Sequence, residues 1–164
     1  MASVNTTATH KFVIVLNEKS PIGKLLSATG QLAMSLYGNA TAEQQSNMSF
    51  IPFFNPSGNS LITLSTCSFV VLKGTAGQLL TLYTRTTEQG LLSAIFTSTM
   101  SFNGIEEDLI QKTANTPLDR AEPYGVALFG LIEEVNPLTK KFSVFKQDLL
   151  TAGSIPACSN SLPD

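Results

Sequence analysis

Charged side chains are scarce in this 164-residue chain, at 13% of residues against a usual share of roughly 25%. Ten basic and twelve acidic residues leave a formal net charge of −2. Binding to nucleic acid irrespective of its sequence requires many Lys and Arg contacts with phosphate. The composition therefore argues against a broadly basic nucleic-acid-binding surface and leaves a local basic patch as the alternative.

Cysteine and histidine are also rare, and their spacing matches no metal-binding pattern. The two cysteines, Cys67 and Cys158, are accompanied by one histidine, His10, and the sequence contains no C-x-x-C pair. A structural zinc site or a disulfide framework is not expected, and we predict neither a metal nor a cofactor. His10 precedes the first predicted strand, where a solvated edge residue is commoner than a catalytic base.

Long apolar runs and a signal peptide are missing too. Residues 1–9 are polar and lack the basic segment and apolar core of a secretory signal. The longest nearly apolar run, residues 124–132, is about half the ~20 residues of a membrane-spanning helix. We therefore expect a soluble, cytoplasmic protein without a membrane partner.

The motifs of common enzyme classes are absent as well. The sequence contains no G-x-S-x-G, no Walker A loop, no G-x-G-x-x-G and no H-x-x-x-H. Their absence argues against most familiar hydrolases, kinases and nicotinamide-dependent enzymes.

The clearest positive signal is a strand, a turn and a helix over residues 11–37. The apolar, β-branched run at residues 12–16 predicts a strand that is covered on both faces. Ser20 followed by Pro21 predicts a helix start, with the Ser20 hydroxyl as the N-cap. Gly30 is unfavourable inside a helix, so we expect it to mark close packing against a sheet. The predicted apolar face of the helix consists of Leu25, Leu26, Thr29, Leu32, Ala33 and Leu36.

Further strands and helices alternate along the rest of the chain. Thr75 and Gln78 fit a capping box at the start of a helix that stops at Gly90, although the same residues also alternate like a strand. The other predicted elements are a hairpin at 50–65, strands at 69–72, 91–96, 124–131 and 141–146, a short helix from 106, and a turn or helical crossover at 135–139.

This order of elements predicts an α/β fold. We expect three layers, α/β/α, with a mixed, mostly parallel sheet of about four strands plus a small hairpin. Residues 11–149 are expected to form a single domain, with a flexible arm over 1–10 and a flexible tail over 150–164.

Ligands of α/β sheets bind outside the carboxyl ends of the strands. The segments expected there are residues 17–24, 73–75 and 97–102. Lys24 lies in the first turn of its predicted helix, near backbone N–H groups that suit an anion or a polarised carbonyl. The alternative is that Lys24 is an ordinary solvated lysine.

Three stretches carry a family resemblance: KFVIVLNEKSPIGKLLSATGQLAMSLYG (11–38), FVVLKGTAGQLLTLYTRTTEQGLLSAIFTSTM (69–100) and VNPLTKKFSVFK (135–146). They resemble the opening strand and helix, the middle strand–helix–strand and the closing segment of the type II peptidyl-tRNA hydrolases. The resemblance is closest to a domain-of-unknown-function family that is grouped with those enzymes. It implies their fold and leaves residues 39–66 and 101–123 poorly matched.

The functional positions of that family are matched only in part. Gly23 and Lys24 match the G-K step, whose lysine is implicated in activity, and Gln31 stands where the enzymes have a helix histidine. Residues 98–100, S-T-M, stand where the enzymes have D-A-G with a catalytic aspartate. Efficient peptidyl-tRNA hydrolysis is therefore not expected.

Two hypotheses follow, and whether the protein is an enzyme stays open between them. The first is hydrolase-like action on an acyl ester or small anionic substrate, with Lys24 binding the anion or oxyanion and Ser98 or Thr99 placing substrate or water. The second is a non-catalytic module that uses the same cleft for a ligand or for self-association, with tRNA as a weakly supported partner. The further residues expected to bind the ligand are Asn17, Gly23, Gln31 and Met100.

Overall fold

A computed structural model describes residues 9–101 and 105–146 of the chain. Apart from Thr9 and His10, the predicted arm and tail lie outside these residues. The strands are β1 (His10–Asn17), β2 (Phe50–Phe54), β3 (Ser60–Ser65), β4 (Ser68–Gly74), β5 (Leu92–Thr97), β6 (Pro123–Leu131) and β7 (Ser143–Val144). The helices are α1 (Ile22–Asn39), α2 (Ala42–Asn47), α3 (Ala76–Glu88), α4 (Glu106–Ala114) and α5 (Ile132–Thr139), with a 3₁₀ turn at Ser98–Met100.

The main sheet has five strands in the order β5-β6-β1-β4-β7. Only β1 and β4 pair in parallel, whereas β1–β6, β5–β6 and β4–β7 are antiparallel. The predicted mostly parallel sheet is therefore wrong, and the sheet is mixed and mostly antiparallel. The error came from β6, which lies between two other strands and is buried on both faces. Such burial produces a continuous apolar run whichever way the strand points.

Helices cover both faces of this sheet. Alternate side chains of β1 point to opposite faces, so Phe12 and Ile14 pack with α1 while Val13 and Val15 pack with α3 and α5. The α1 side of the core includes Leu25, Leu32, Leu36, Ala127 and Phe129. The other side includes Leu79, Leu82, Val126, Leu128, Val135 and Leu138.

The predicted hairpin is confirmed as a separate antiparallel pair of strands, β2 and β3. Gly58 takes a φ of 81° in the connecting turn, a conformation that favours glycine. Large apolar side chains of the ribbon face solvent, with Phe54 60% and Leu61 66% exposed. The segment before it, for which the sequence predicted no element, contains α2, which begins with a capping box at Thr41.

Helix α1 forms as predicted but differs from the prediction in three details. Its N-cap is Pro21, whose carbonyl accepts from the Lys24 N–H at 2.9 Å, and the Ser20 hydroxyl makes no capping bond. Leu26 is 67% exposed, so it is not part of the buried face. Gly30 has open space around the position of a Cβ atom, so it marks no close packing.

The remaining elements are of the predicted type, but some differ from the prediction in length. The Thr75 capping box is confirmed, and α3 is a helix rather than the alternative strand. Residues 132–139 form the helix α5, and the last strand is only Ser143–Val144 instead of residues 141–146. None of the helices in the described residues has the length and apolarity needed to cross a membrane.

Candidate ligand-binding site

The strands β1, β4 and β5 end at one edge of the sheet. Strand β6 is antiparallel to both β1 and β5, and β4 is parallel to β1, so β1, β4 and β5 all run the same way. Their carboxyl ends therefore lie together, as expected, although most of the pairings are antiparallel. The start of β6, at Pro123 and Tyr124, lies at the same edge.

A lysine–serine contact joins α1 to the segment after β5 at this edge. Lys24 Nζ donates to Ser101 Oγ at 3.1 Å, and the same Nζ lies 6.0 Å from the ring centroid of Tyr124. Ser101 lies inside the segment expected at the strand ends but was not singled out from the sequence. It had no signal of its own, because it is one of several hydroxyl residues in the run from Thr97 to Ser101.

A groove of about 500 Å³ opens beside this contact. Gly23, Ser27 and Gln31 are spaced by four residues, so they share one face of α1 and form one wall of the groove. The complete lining is Pro21, Gly23, Lys24, Ser27, Gln31, Phe96 and Ser101. The structure thus brings together three of the predicted site residues, Gly23, Lys24 and Gln31.

Thr99 is buried away from this groove. It is only 4% exposed, and its hydroxyl lies 2.8 Å from Thr97 Oγ1 and accepts from Thr113 Oγ1 at 3.0 Å. These bonds tie the 3₁₀ turn to β5 and α4. In this arrangement the Thr99 hydroxyl does not face the groove in which Lys24 lies.

The other two residues of the S-T-M segment also lie outside the groove lining. The Ser98 backbone N–H donates to the Glu122 carbonyl at 2.8 Å, which fixes the turn against the start of β6. Met100 lines a separate apolar groove of about 480 Å³ with Leu109 and Ile110 of α4. The groove is thus lined by the neighbouring residue Ser101 and not by residues 98–100.

Asn17 positions the loop rather than lining the groove. Its side chain is buried, its Nδ2 donates to the Pro123 carbonyl at 3.0 Å, and its Oδ1 accepts from the Lys19 N–H at 3.2 Å. The first bond ties the end of β1 to the start of β6, and the second holds the loop that follows β1. Asn17 therefore supports the edge on which the groove is built.

The groove has the chemistry of a small anion or carbonyl site. It offers the Lys24 ammonium, the hydroxyls of Ser27 and Ser101, the Gln31 amide and the aromatic wall of Phe96. The lining residues in the described part of the chain include neither a carboxylate nor an imidazole. Across the described residues, no group of three or more His, Cys, Asp or Glu side chains is placed to hold a metal ion.

Comparison with known proteins places this architecture among proteins whose function is open. The solved structure of the protein of unknown function Atu0240 from Agrobacterium tumefaciens strain C58 matches with a TM-score of 0.71. The match covers 84% of this chain and 98% of that chain at 20% sequence identity, so it shows a shared fold alone. No match is found among the curated proteins. The family model described as "Protein of unknown function (DUF2000)" matches residues 10–146.

Proposed function

Because the chain belongs to DUF2000, a family of unknown function, we propose a function from the geometry of its groove: it binds a small anionic or acyl-ester molecule beside Lys24. The observation that carries this proposal is the 3.1 Å contact between Lys24 Nζ and Ser101 Oγ beside the groove. Lys24 supplies the positive charge, and Phe96 supplies an apolar wall for the body of the ligand.

The contact also leaves the Ser101 hydroxyl able to act as a second donor. When the Ser101 hydroxyl oxygen accepts from the ammonium group, its own O–H remains able to donate into the groove. The first N–H groups of a helix have no intrahelical partner, and Gly23 lies in the first turn of α1 on the groove wall. An anion in the groove would therefore meet a cation, a hydroxyl donor and the positive end of a helix dipole.

The type II peptidyl-tRNA hydrolase-like fold is part of the same proposal. It is supported by the Gly23–Lys24 step in the first turn of α1 and by the strand–helix–strand unit of β4, α3 and β5. Peptidyl-tRNA itself is not the proposed substrate, because residues 98–100 carry no acidic side chain. The cytoplasmic location stays a prediction.

Hydrolysis of an acyl ester is the second candidate function. It is favoured by the placement of the Lys24 ammonium and the Ser101 hydroxyl on the same side of the groove, where they suit a developing oxyanion. In this version Ser101 takes the role that the sequence assigned to Ser98 or Thr99. Proton abstraction from water requires a base, and the groove lining of the described residues includes no carboxylate or imidazole. Binding therefore ranks above hydrolysis.

A titration of small carboxylates, followed by thermal shift and calorimetry, tests the binding proposal. We expect at least one carboxylate to stabilise the wild type, and Lys24→Gln to weaken its binding by about tenfold or more, since a hydrogen bond to a charged group contributes about 1.5–3 kcal/mol. Lys19→Gln makes the same charge change in the neighbouring loop, outside the groove lining, and should bind like the wild type. Absence of binding, or equal loss in both variants, would contradict the proposal.

Parallel measurements address the alternatives. A chromogenic acyl ester tests the proposed hydrolysis. This second candidate function is rejected if the wild type hydrolyses the ester no faster than Lys24→Gln does. Adding tRNA to the titration tests the weakly supported nucleic-acid partner. Sedimentation of the wild type and Lys24→Gln tests self-association through the same groove.

A further inference from the structure

A second pocket lies on a different face of α1 from the Lys24 groove. Its volume is about 240 Å³, and its α1 residues are Ile22 and Leu25. Successive residues of a helix are about 100° apart, which places these two side chains away from the wall formed by Gly23, Ser27 and Gln31. The complete lining is Glu18, Ser20, Ile22, Leu25, Lys73, Phe145 and Lys146.

Ser20 gives this pocket a polar group that lacks a partner. The residue is only 8% exposed, and its hydroxyl oxygen makes no hydrogen bond to any of the described residues. Its backbone N–H, by contrast, donates to the Asn17 carbonyl at 3.1 Å and holds the loop in place. A buried hydroxyl without a hydrogen-bond partner destabilises a folded protein. A ligand that accepts a hydrogen bond from the Ser20 hydroxyl would remove this cost.

Two lysines line the same pocket as Ser20. Lys73, the next-to-last residue of β4, and Lys146 both line the pocket, and Ile22 opens the 18-residue helix α1. The first backbone N–H groups of α1 and the positive end of its dipole lie there. Glu18 also lines the pocket and is exposed to solvent, as is Lys146, so the lining has one carboxylate against two ammonium groups and a helix N-terminus.

We propose that this pocket binds the phosphate group of a small molecule. The Ser20 hydroxyl and the N–H of Ile22 donate to the phosphate oxygens, and Lys73 and Lys146 neutralise its charge. The volume is about eight times the roughly 30 Å³ that a water molecule occupies in the liquid. The pocket thus leaves room for an ester group against Leu25 and Phe145. This pocket shares the N-terminus of α1 with the Lys24 groove, but the two have no lining residue in common.

Isothermal titration with inorganic phosphate and with glycerol phosphate, at constant ionic strength, tests the proposal. We expect both to bind the wild type, with tighter binding of the ester if its organic part packs against Phe145. Lys73→Gln should weaken binding by about tenfold or more, the effect of losing one charge-assisted hydrogen bond. Lys19→Gln, which removes a nearby charge outside the lining, should leave binding within about twofold, because exposed charges are well screened.

Ser20→Ala supplies a readout that does not depend on charge. Without phosphate, this variant should melt at the same temperature as the wild type or higher, because the hydroxyl has no bond to lose. With phosphate, its gain in melting temperature should be smaller than that of the wild type. A loss of stability without phosphate would overturn the assignment, since it would mean that the hydroxyl is already bonded.

Two further outcomes would also overturn the proposal. One is the absence of phosphate binding to the wild type at millimolar concentrations. The other is phosphate binding that Lys24→Gln removes and Lys73→Gln leaves intact, since this would assign the anion to the first groove. The reverse pattern, with loss in Lys73→Gln and retention in Lys24→Gln, supports the second pocket whether or not carboxylates bind beside Lys24.

Discussion

Gly125 is the glycine on which the packing of α1 against the sheet depends, and its replacement by alanine is a stringent test. A Cβ atom at this position would lie 2.8 Å from Leu32 Cδ1, 3.0 Å from Leu16 Cδ2 and 3.3 Å from the Val15 carbonyl oxygen. Leu32 and Leu16 are buried in the α1 side of the core. Because both leucines are buried, at 1% and 4% exposure, the added Cβ atom fits only if these side chains or helix α1 shift.

The size of the effect follows from two opposing contributions. Overpacking a well-packed core typically costs about 1–3 kcal/mol. Replacing glycine in a strand recovers about 0.5–1 kcal/mol, because the unfolded chain loses conformational freedom. Taking middle values of about 2 kcal/mol for overpacking and about 0.75 kcal/mol for glycine, we expect Gly125→Ala to lower the free energy of unfolding by about 1.25 kcal/mol. For a chain of this length, that corresponds to a drop of about 2–5 °C in melting temperature.

Gly30→Ala is the matched control for this experiment. Gly30 lies inside α1 with nothing within 4 Å of the Cβ position. The substitution should raise the free energy of unfolding by up to about 1 kcal/mol through helix propensity alone. Urea denaturation of both variants measures the two changes. If Gly125→Ala unfolds at the same urea concentration as the wild type, the close approach of α1 to β6 is wrong.

Three further predictions concern stability and are measured by the same urea denaturation. Thr75→Ala should cost about 1 kcal/mol by removing the N-cap of α3, and an unchanged midpoint would contradict the capping box. Asn17→Ala should cost about 1–3 kcal/mol, because it leaves the Pro123 carbonyl and the Lys19 N–H without their partner; a neutral result would mean that these groups are satisfied by water. Phe54→Ser should stay within about 0.5 kcal/mol of the wild type, since the ring is mostly exposed, and a larger loss would show that the hairpin is covered.

The kinds of elements were largely predictable because they depend on local patterns. The Thr75 and Gln78 pair is a short-range signal, and it correctly favoured a helix over the alternating strand pattern. The polar loop at residues 55–59 was likewise enough to predict the hairpin. The direction of β6 was not predictable in this way, because a strand buried on both faces has the same apolar pattern in either orientation.

The location of the candidate site was predictable from the sequence, but only some of its lining residues were. Lys24 and Gln31 lie on one groove because helical spacing puts them near each other, and that spacing can be read from the sequence. Thr99, which was also expected in the site, does not line this groove, because its hydroxyl bonds to Thr97 and Thr113. Which hydroxyl of a short serine- and threonine-rich segment faces a groove depends on the turn that the backbone makes. No local pattern indicates it.

The position of β6 also has a consequence for the way the chain folds during synthesis. Strand β6 begins at Pro123, about three quarters of the way along the 164 residues, yet it is the neighbour of both β1 and β5. Until it emerges from the ribosome, β5 has none of its sheet hydrogen bonds, and β1 has one open edge. Pairing between strands so distant in sequence is slow to form, and exposed apolar edges favour aggregation. The nascent chain therefore exposes an unpaired edge of β1 until β6 has been made.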